Sequence, residues 1–513
     1  MKKYTIILSL VFLAASCVKD TGNYDYKPED TVTPPGITGI DTEEGYVASI
    51  MGRLVIDPKV GDGANDAAYD YLWYAYGDKI ENKDTLSTER KLDIPVRLPS
   101  GRFSLVFMVT DKKYGTMQMA NTTLDVGSDF SVGWYVTKDD GETTDLDMIT
   151  SEWEVVPGLL GAVNGEGPAG KAVKTVYMPK KYNYFFDDPD LPPLADQQAI
   201  FVMTDRDMRV YNGENLELFH DFKHLFMDND IPNETLALSY SGTPPDDFFG
   251  YKGTMYAIND GKLYTIFGSS NMGKFPFFTS NWQDRLSPHL CVGSGMVMGF
   301  EETTRSFVWE YDFLFEVRTY TRFAENAVSP ISCNNMDYDM VFMKENVNGG
   351  VALMKHITTG EYISMTFDKW QWNYDMLGLF GGVNNPIWHV YDVPATSRVA
   401  TSAIRTVNKV NNAIYCSDGG SNVYMHTVST GEEKTLISLP SGESVSFIAH
   451  ISNEGGTFSH LVVLANSGGG WKAYFYDFVG YTAEIIPEPV KVVSGTGNAR
   501  HIMWRDFDSI DSI

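Results

Sequence analysis

Hydrophobic and polar positions along this chain alternate in short runs that break at Gly, Asn and Asp, the pattern of strands joined by tight turns. The clearest stretch is Phe130–Met148, an apolar run, a polar turn at Asp139-Asp140-Gly141 and a second run. The same outline returns at 199–211, 254–267, 295–312, 338–357, 412–428 and 460–478. Turn centres near residues 140, 207, 260, 303, 348, 418 and 468 lie about 45–70 residues apart. A small isolated sheet cannot bury its apolar face and must stack on neighbours, so seven copies predict a seven-bladed β-propeller over 128–513. A strand near Arg500–Arg505 is expected to pair with the first copy, because otherwise the first and last blades would keep open edges.

Ahead of the repeats, alternation at 54–60, 69–78, 91–98 and 102–126 predicts a small β-sandwich of immunoglobulin type over 36–127. Trp73 is placed as its core tryptophan, and no cysteine pair flanks it. Tyr114 reads as a turn residue. No long stretch carries helical periodicity, so the fold class is all-β: a sandwich followed by a propeller.

The first residues have another character. Lys2-Lys3 precede the apolar run Tyr4–Leu13, which is too short to span a bilayer as a helix and reads as a secretory signal over 1–16. Ala14-Ala15-Ser16 then lead into Cys17, a small-residue run ending in Cys that resembles a bacterial lipobox, with Cys17 as the lipidated residue. Acyl chains at about 0.8 kcal/mol per buried CH₂ would hold the protein on a membrane. Residues 17–35, polar and carrying Pro28, Pro34 and Pro35, read as a tether.

Composition narrows the function more than the fold. A formal charge of −27 repels phosphate backbones and disfavours nucleic acid, while an acidic surface favours basic ligands. Setting Cys17 aside leaves Cys291, Cys333 and Cys416, an odd count without CxxC spacing; one pair could still form. No GxSxG, HExxH, P-loop or dinucleotide fingerprint occurs, so no catalytic residue is assigned and an enzyme is not supported. His220 and His224 stand four apart without a third ligand and read as a short surface helix. Clusters at Asp145–Asp147, Asp187–Asp190 and Asp228–Asp230 could take calcium but lack EF-hand spacing and read as solvated turns; no metal site or cofactor is assigned.

Long segments between repeats are where a rigid scaffold carries binding. Three are aromatic and polar: 179–197, 271–289 and 369–389. Trp282, Trp370, Trp372, Tyr374 and Trp388 are the candidate ligand-binding rings, a ring face covering apolar surface of a sugar or side chain while polar neighbours orient it. The alternative is that such rings plug the core.

The run CVKDTGNYDY at 17–26 resembles the opening of the PKD-like lipoproteins of Bacteroidetes. The order Trp73, Leu98-Pro99-Ser100-Gly101, Val109-Thr110-Asp111 and Tyr114-Gly115 resembles the PKD-like domain itself. Gly133-Trp134-Tyr135-Val136 with Asp145-Leu146-Asp147 is similar to that family's first blade. The resemblance implies an outer-membrane lipoprotein facing the cell exterior, accessory to a SusC/SusD-like TonB-dependent transporter, binding or presenting an oligosaccharide or peptide nutrient. Two other classes stay open: a propeller hydrolase acting on that nutrient, and a structural or adhesive docking protein.

Overall fold

The computed structural model describes residues 35–505 other than 44, 50–52, 62–65, 78–79, 97, 99–100, 128–131, 185–193, 229, 242–252, 268–272, 277–284, 294–295, 312–320, 369–383 and 454–457. The signal, Cys17 and the tether lie outside the described residues. The chain forms two compact units that divide between Gly127 and Ser128.

The first unit comprises β1 (Ile37–Thr38), β2 (Tyr46–Ser49), β3 (Arg53–Ile56), β4 (Lys59–Val60), β5 (Tyr69–Gly77), β6 (Ile80–Ser87), β7 (Leu92–Pro95), β8 (Gly101–Asp111) and β9 (Met117–Gly127). One sheet runs β2-β9-β8-β5-β6, and the pairs β3-β7 and β1-β4 supply the facing layer. Between them Leu54, Ile56, Leu92, Leu105 and Phe107 close over Trp73. The Trp73 ring stacks on Phe107 at 4.4 Å, and its indole N–H donates to the Arg90 carbonyl at 3.1 Å. Tyr114 sits on the β8–β9 turn under the Lys113 ammonium, a turn residue as expected. β6 went unread because its sequence, IENKDTLS, shows no apolar alternation.

Among its described residues the second unit holds seven sheets. Blade 1 contains β10 (Gly133–Asp139), β11 (Thr144–Ile149) and β12 (Val155–Val156). Blade 2 is β13 (Ala172–Tyr184), β14 (Leu194–Thr204), β15 (Met208–Asn212) and β16 (Leu218–His220). Blade 3 has β17 (Thr235–Ser241), β18 (Thr254–Asn259) and β19 (Lys262–Phe267). Blade 4 is β20 (Cys291–Gly293), β21 (Met296–Glu301), β22 (Ser306–Tyr311) and β23 (Thr321–Arg322). Blade 5 is β24 (Tyr338–Lys344), β25 (Gly349–His356), β26 (Tyr362–Asp368) and β27 (Ile387–Val393). Blade 6 is β28 (Ile404–Val407), β29 (Ala413–Ser417), β30 (Asn422–Thr427) and β31 (Glu433–Ser438). Blade 7 is β32 (Ser444–Ser452), β33 (Ser459–Ser467), β34 (Gly470–Asp477) and β35 (Lys491–Thr496). The last strand, β36 (Asn498–Arg505), returns to blade 1 and pairs antiparallel with β10, Trp134 opposite Trp504. It is the closure expected near Arg500–Arg505.

The recurring hairpins are the middle pair of each blade, with one exception. The copy at 338–357 covers the inner and second strands of blade 5, whose middle hairpin is β25–β26. Asn346 and Gly349 mimic the turn chemistry of the true hairpin, which displaced the reading by one strand.

Ring closure follows from burial. Strands β18, β25 and β29 are buried at nearly every position, so both faces of the sheet are covered. Seven apolar clusters do the covering, and each mixes residues of two consecutive blades. Tyr135, Leu146, Ile200 and Tyr211 join blades 1 and 2, for instance, while Trp134, Val136, Leu464 and Phe475 join blades 7 and 1. In the GWYV run, Trp134 therefore faces blade 7 and its neighbour Tyr135 faces blade 2, the period-2 alternation of a strand buried on both sides. Each such side chain contributes roughly 1.5–3 kcal/mol.

Polar clasps fix the join. Asp147 is fully buried; it takes the Lys138 ammonium at 2.7 Å and, across the blade boundary, the Trp471 indole N–H at 3.0 Å. Arg505, also buried, donates to the Tyr135 hydroxyl at 3.0 Å and to Gln198 of blade 2 at 2.7 Å. Removing one member of a buried pair strands the other, at a cost of about 3–5 kcal/mol. Asp147→Ala is therefore expected to destabilise the second unit by about that amount in urea unfolding, against less than about 0.5 kcal/mol for exposed Glu152→Ala. An Asp147→Ala loss no larger than that of the control would mean that apolar packing alone closes the ring.

Candidate functional site

The seven inner strands are β36, β13, β17, β20, β24, β28 and β32. They surround a cavity of about 150 Å³ on the axis of the ring, to which every blade contributes. Among the described residues its charged lining consists of Lys174 from blade 2, Lys344 and Glu345 from blade 5, and Lys409 from blade 6. His450 of blade 7 and His501 of blade 1 add imidazoles, and Ser239 and Tyr240 add hydroxyls, while the hydroxyl of lining Thr175 is bonded to Thr137 at 2.6 Å.

Each polar group is held by the scaffold. The Lys344 ammonium donates to Thr406 Oγ1 at 3.4 Å, and Lys174 Nζ reaches Ser239 Oγ at 3.5 Å. Glu345 accepts the Val292 backbone N–H at 3.4 Å. His450 Nδ1 accepts the Lys409 backbone N–H at 3.0 Å, which puts its proton on Nε2, 2.9 Å from Ser459 Oγ. His501 Nδ1 likewise accepts the Thr175 N–H at 3.4 Å. Both rings are therefore neutral Nε2–H donors. Burial, reinforced by Lys409 and Lys344, pushes His450 down to about 3. Burial, with Lys174 and Lys344, holds His501 well below the usual imidazole range. The two depressions share a physical cause: little water and a local excess of positive charge.

Each blade runs up its inner strand, down the second, up the third and down the outer one. Connections from inner to second and from third to outer strand therefore leave at one end, the end where β24 finishes at Lys344. The three aromatic loops all attach there: between Tyr184 and Leu194, after Phe267, and between Asp368 and Ile387. Trp282, Trp370, Trp372 and Tyr374 lie outside the described residues. Trp388 is described, an exposed ring on the outermost strand β27, away from the axis. Two aromatics of the same loops prove to be core. Phe275 is buried against Phe226 at 4.9 Å, and the buried Tyr182 donates its hydroxyl to the Gly273 carbonyl at 2.5 Å.

Of the other candidates, the Asp187–Asp190 cluster lies outside the described residues, and the rest resolve into structure. His220 ends strand β16, and His224 lies on a four-residue helix, Phe222–Leu225, paired with Asp221; they share no helix face. Asp145 caps the Leu159–Asn164 helix through the Leu160 and Gly161 N–H groups, and Asp147 is the clasp described above. Asp230 N–H donates to Asp228 within a turn. Among the described residues no three His, Cys, Asp or Glu side chains gather to hold a metal. Cys291, Cys333 and Cys416 are buried free thiols, and burial pushes Cys333 up to about 12 and Cys416 to about 11.

The axial lysines and histidines escaped sequence reading. Four lie singly on different inner strands, as in VKTVYM and MVFMKE, and Lys409 lies just past the end of β28, so no local spacing marks them. A lysine interrupting an otherwise apolar strand was the available signal.

Residues 17–172 match the PKD-like family, a span that covers the sandwich and runs through the blade 1 strands preceding β13. No curated protein matches the chain. Among solved structures, a quinonprotein alcohol dehydrogenase-like protein from Bacteroides thetaiotaomicron is similar at 12% identity and TM-score 0.39, over 92% of this chain and 99% of that one. A protein of unknown function from the same organism is similar at 9% identity and TM-score 0.31, over 92% and 100%. At these scores neither carries an argument about function. The N-terminal region is a PKD-like domain, and the β-propeller that follows stands on its own sheets.

Proposed function

We propose that this chain is a lipid-anchored protein of the outer-membrane surface that binds or presents an oligomeric nutrient on its propeller, as accessory to a SusC/SusD-like TonB-dependent transporter. The observation that carries the binding role is the polar axial cavity, with the long aromatic loops attached at one end of the ring. A rigid ring holds that lining in place, which limits the entropy lost on capture. The anchoring role rests on the leader pattern and on the PKD-like match, which begins at Cys17. Binding is preferred to hydrolysis because, among the described residues, the lining brings ammonium groups and imidazoles together with a single carboxylate, where glycoside hydrolysis uses a pair.

Cys17→Ala is expected to move the protein from the membrane fraction to the soluble fraction after cell lysis; a variant that still sediments with membranes would overturn the anchor. Replacing Trp370 and Trp372 together with Ala is expected to weaken nutrient capture, as measured by retention on immobilised polysaccharide or peptide. The thermal transition should stay in place, because a lost transition would assign those rings to the core. Co-purification of the transporter pair from solubilised membranes tests the partnership.

A further inference from the structure

The chain carries −27 overall, yet among the described residues the charged groups lining its axial cavity are three ammoniums and one carboxylate. The site thus reverses the sign of the surface and with it the expectation of basic ligands. We infer that the cavity is an oxyanion pocket that receives a carboxylate or sulfate group of an acidic oligosaccharide, with Lys174, Lys344 and Lys409 as its cationic contacts. This deepens the nutrient-binding reading and rests on it.

Three features of the lining fit that chemistry. First, lysine is a compact point charge with three donors, and contacts between such donors and an oxyanion are among the stronger hydrogen bonds. Second, the neutral Nε2–H tautomer of His501 and the hydroxyls of Ser239 and Tyr240 give a wall suited to sugar hydroxyls and sulfate oxygens, while His450 Nε2–H is engaged by Ser459 and the Thr175 hydroxyl by Thr137. Third, size sets the unit recognised. The cavity, about 150 Å³, is well under the roughly 300–1,000 Å³ of pockets that enclose whole small molecules. It takes one charged substituent and leaves the rest of the oligomer outside. Glu345 opposes the site: among the described residues it is the one carboxylate in the lining, and its position is fixed by the Val292 N–H.

Calorimetric titration of the full-length protein tests this with four probes: inorganic sulfate, trigalacturonate, neutral cellotriose and tetraglutamate. Sulfate or trigalacturonate should bind saturably and lose affinity as chloride rises. Lys344→Met should weaken that binding by about tenfold, the size of one charge-assisted contact, while keeping the alkyl stem. Glu345→Gln should tighten it several-fold and can still accept the Val292 N–H, so a gain cannot be mistaken for misfolding. Binding of cellotriose alone would overturn the anion pocket while sparing the nutrient-binding reading. Binding of tetraglutamate in preference to trigalacturonate would overturn the saccharide assignment. Acidic-ligand affinity unchanged in both variants would overturn the placement in the cavity, and no saturable binding of any probe would overturn the inference entirely.

Discussion

Every blade of the second unit is apolar on both faces, and that constraint governs the rest of the molecule. A sheet buried on one face can sit at an edge; a sheet buried on both needs two neighbours. Seven such sheets satisfy one another only in a closed ring, and the seven apolar clusters, each shared by two consecutive blades, are that closure expressed in side chains. The join is the costly place, because the first and last blades are far apart in sequence. Strand β36 solves it by entering blade 1, and the Asp147–Trp471 and Arg505–Gln198 contacts stitch blade 1 to blades 7 and 2.

Closing the ring also creates the cavity. Inner strands leave one edge unpaired toward the axis, and whatever they present there meets the residues of six other blades. In an open array Lys174, Lys344 and Lys409 would be ordinary solvated side chains on separate sheets; in the ring they share one confined volume. Acids on the outer surface do little to cancel them, since exposed charges are screened beyond a Debye length of about 8 Å at physiological salt. Net charge therefore describes how the protein meets its surroundings, whereas the axial lining describes what it admits.

Much of the architecture was legible along the chain because turn chemistry is local. Asp140 accepts the Glu142 and Thr143 N–H groups, and Gly141 adopts φ +100°, so the first hairpin is written in four residues. Asp260-Gly261 does the same in blade 3 with both residues at positive φ. Trp73 was legible as core from its place in an aromatic strand. The hairpin of blade 5 was displaced where a second Asn- and Gly-rich turn competed with the true one, and β6 was missed where a polar strand pairs at an edge.

The sequence by itself determined the strand class, the sevenfold repeat, the returning C-terminal strand and the N-terminal resemblance, because periodicity and turn residues act over a few positions. Only the tertiary structure decided which aromatics are plugs, as with Phe275 and Tyr182, and which charges meet. Five basic side chains spread from Lys174 to His501 become one site solely through the rotation of blade on blade. No spacing along a chain encodes a distance across a ring.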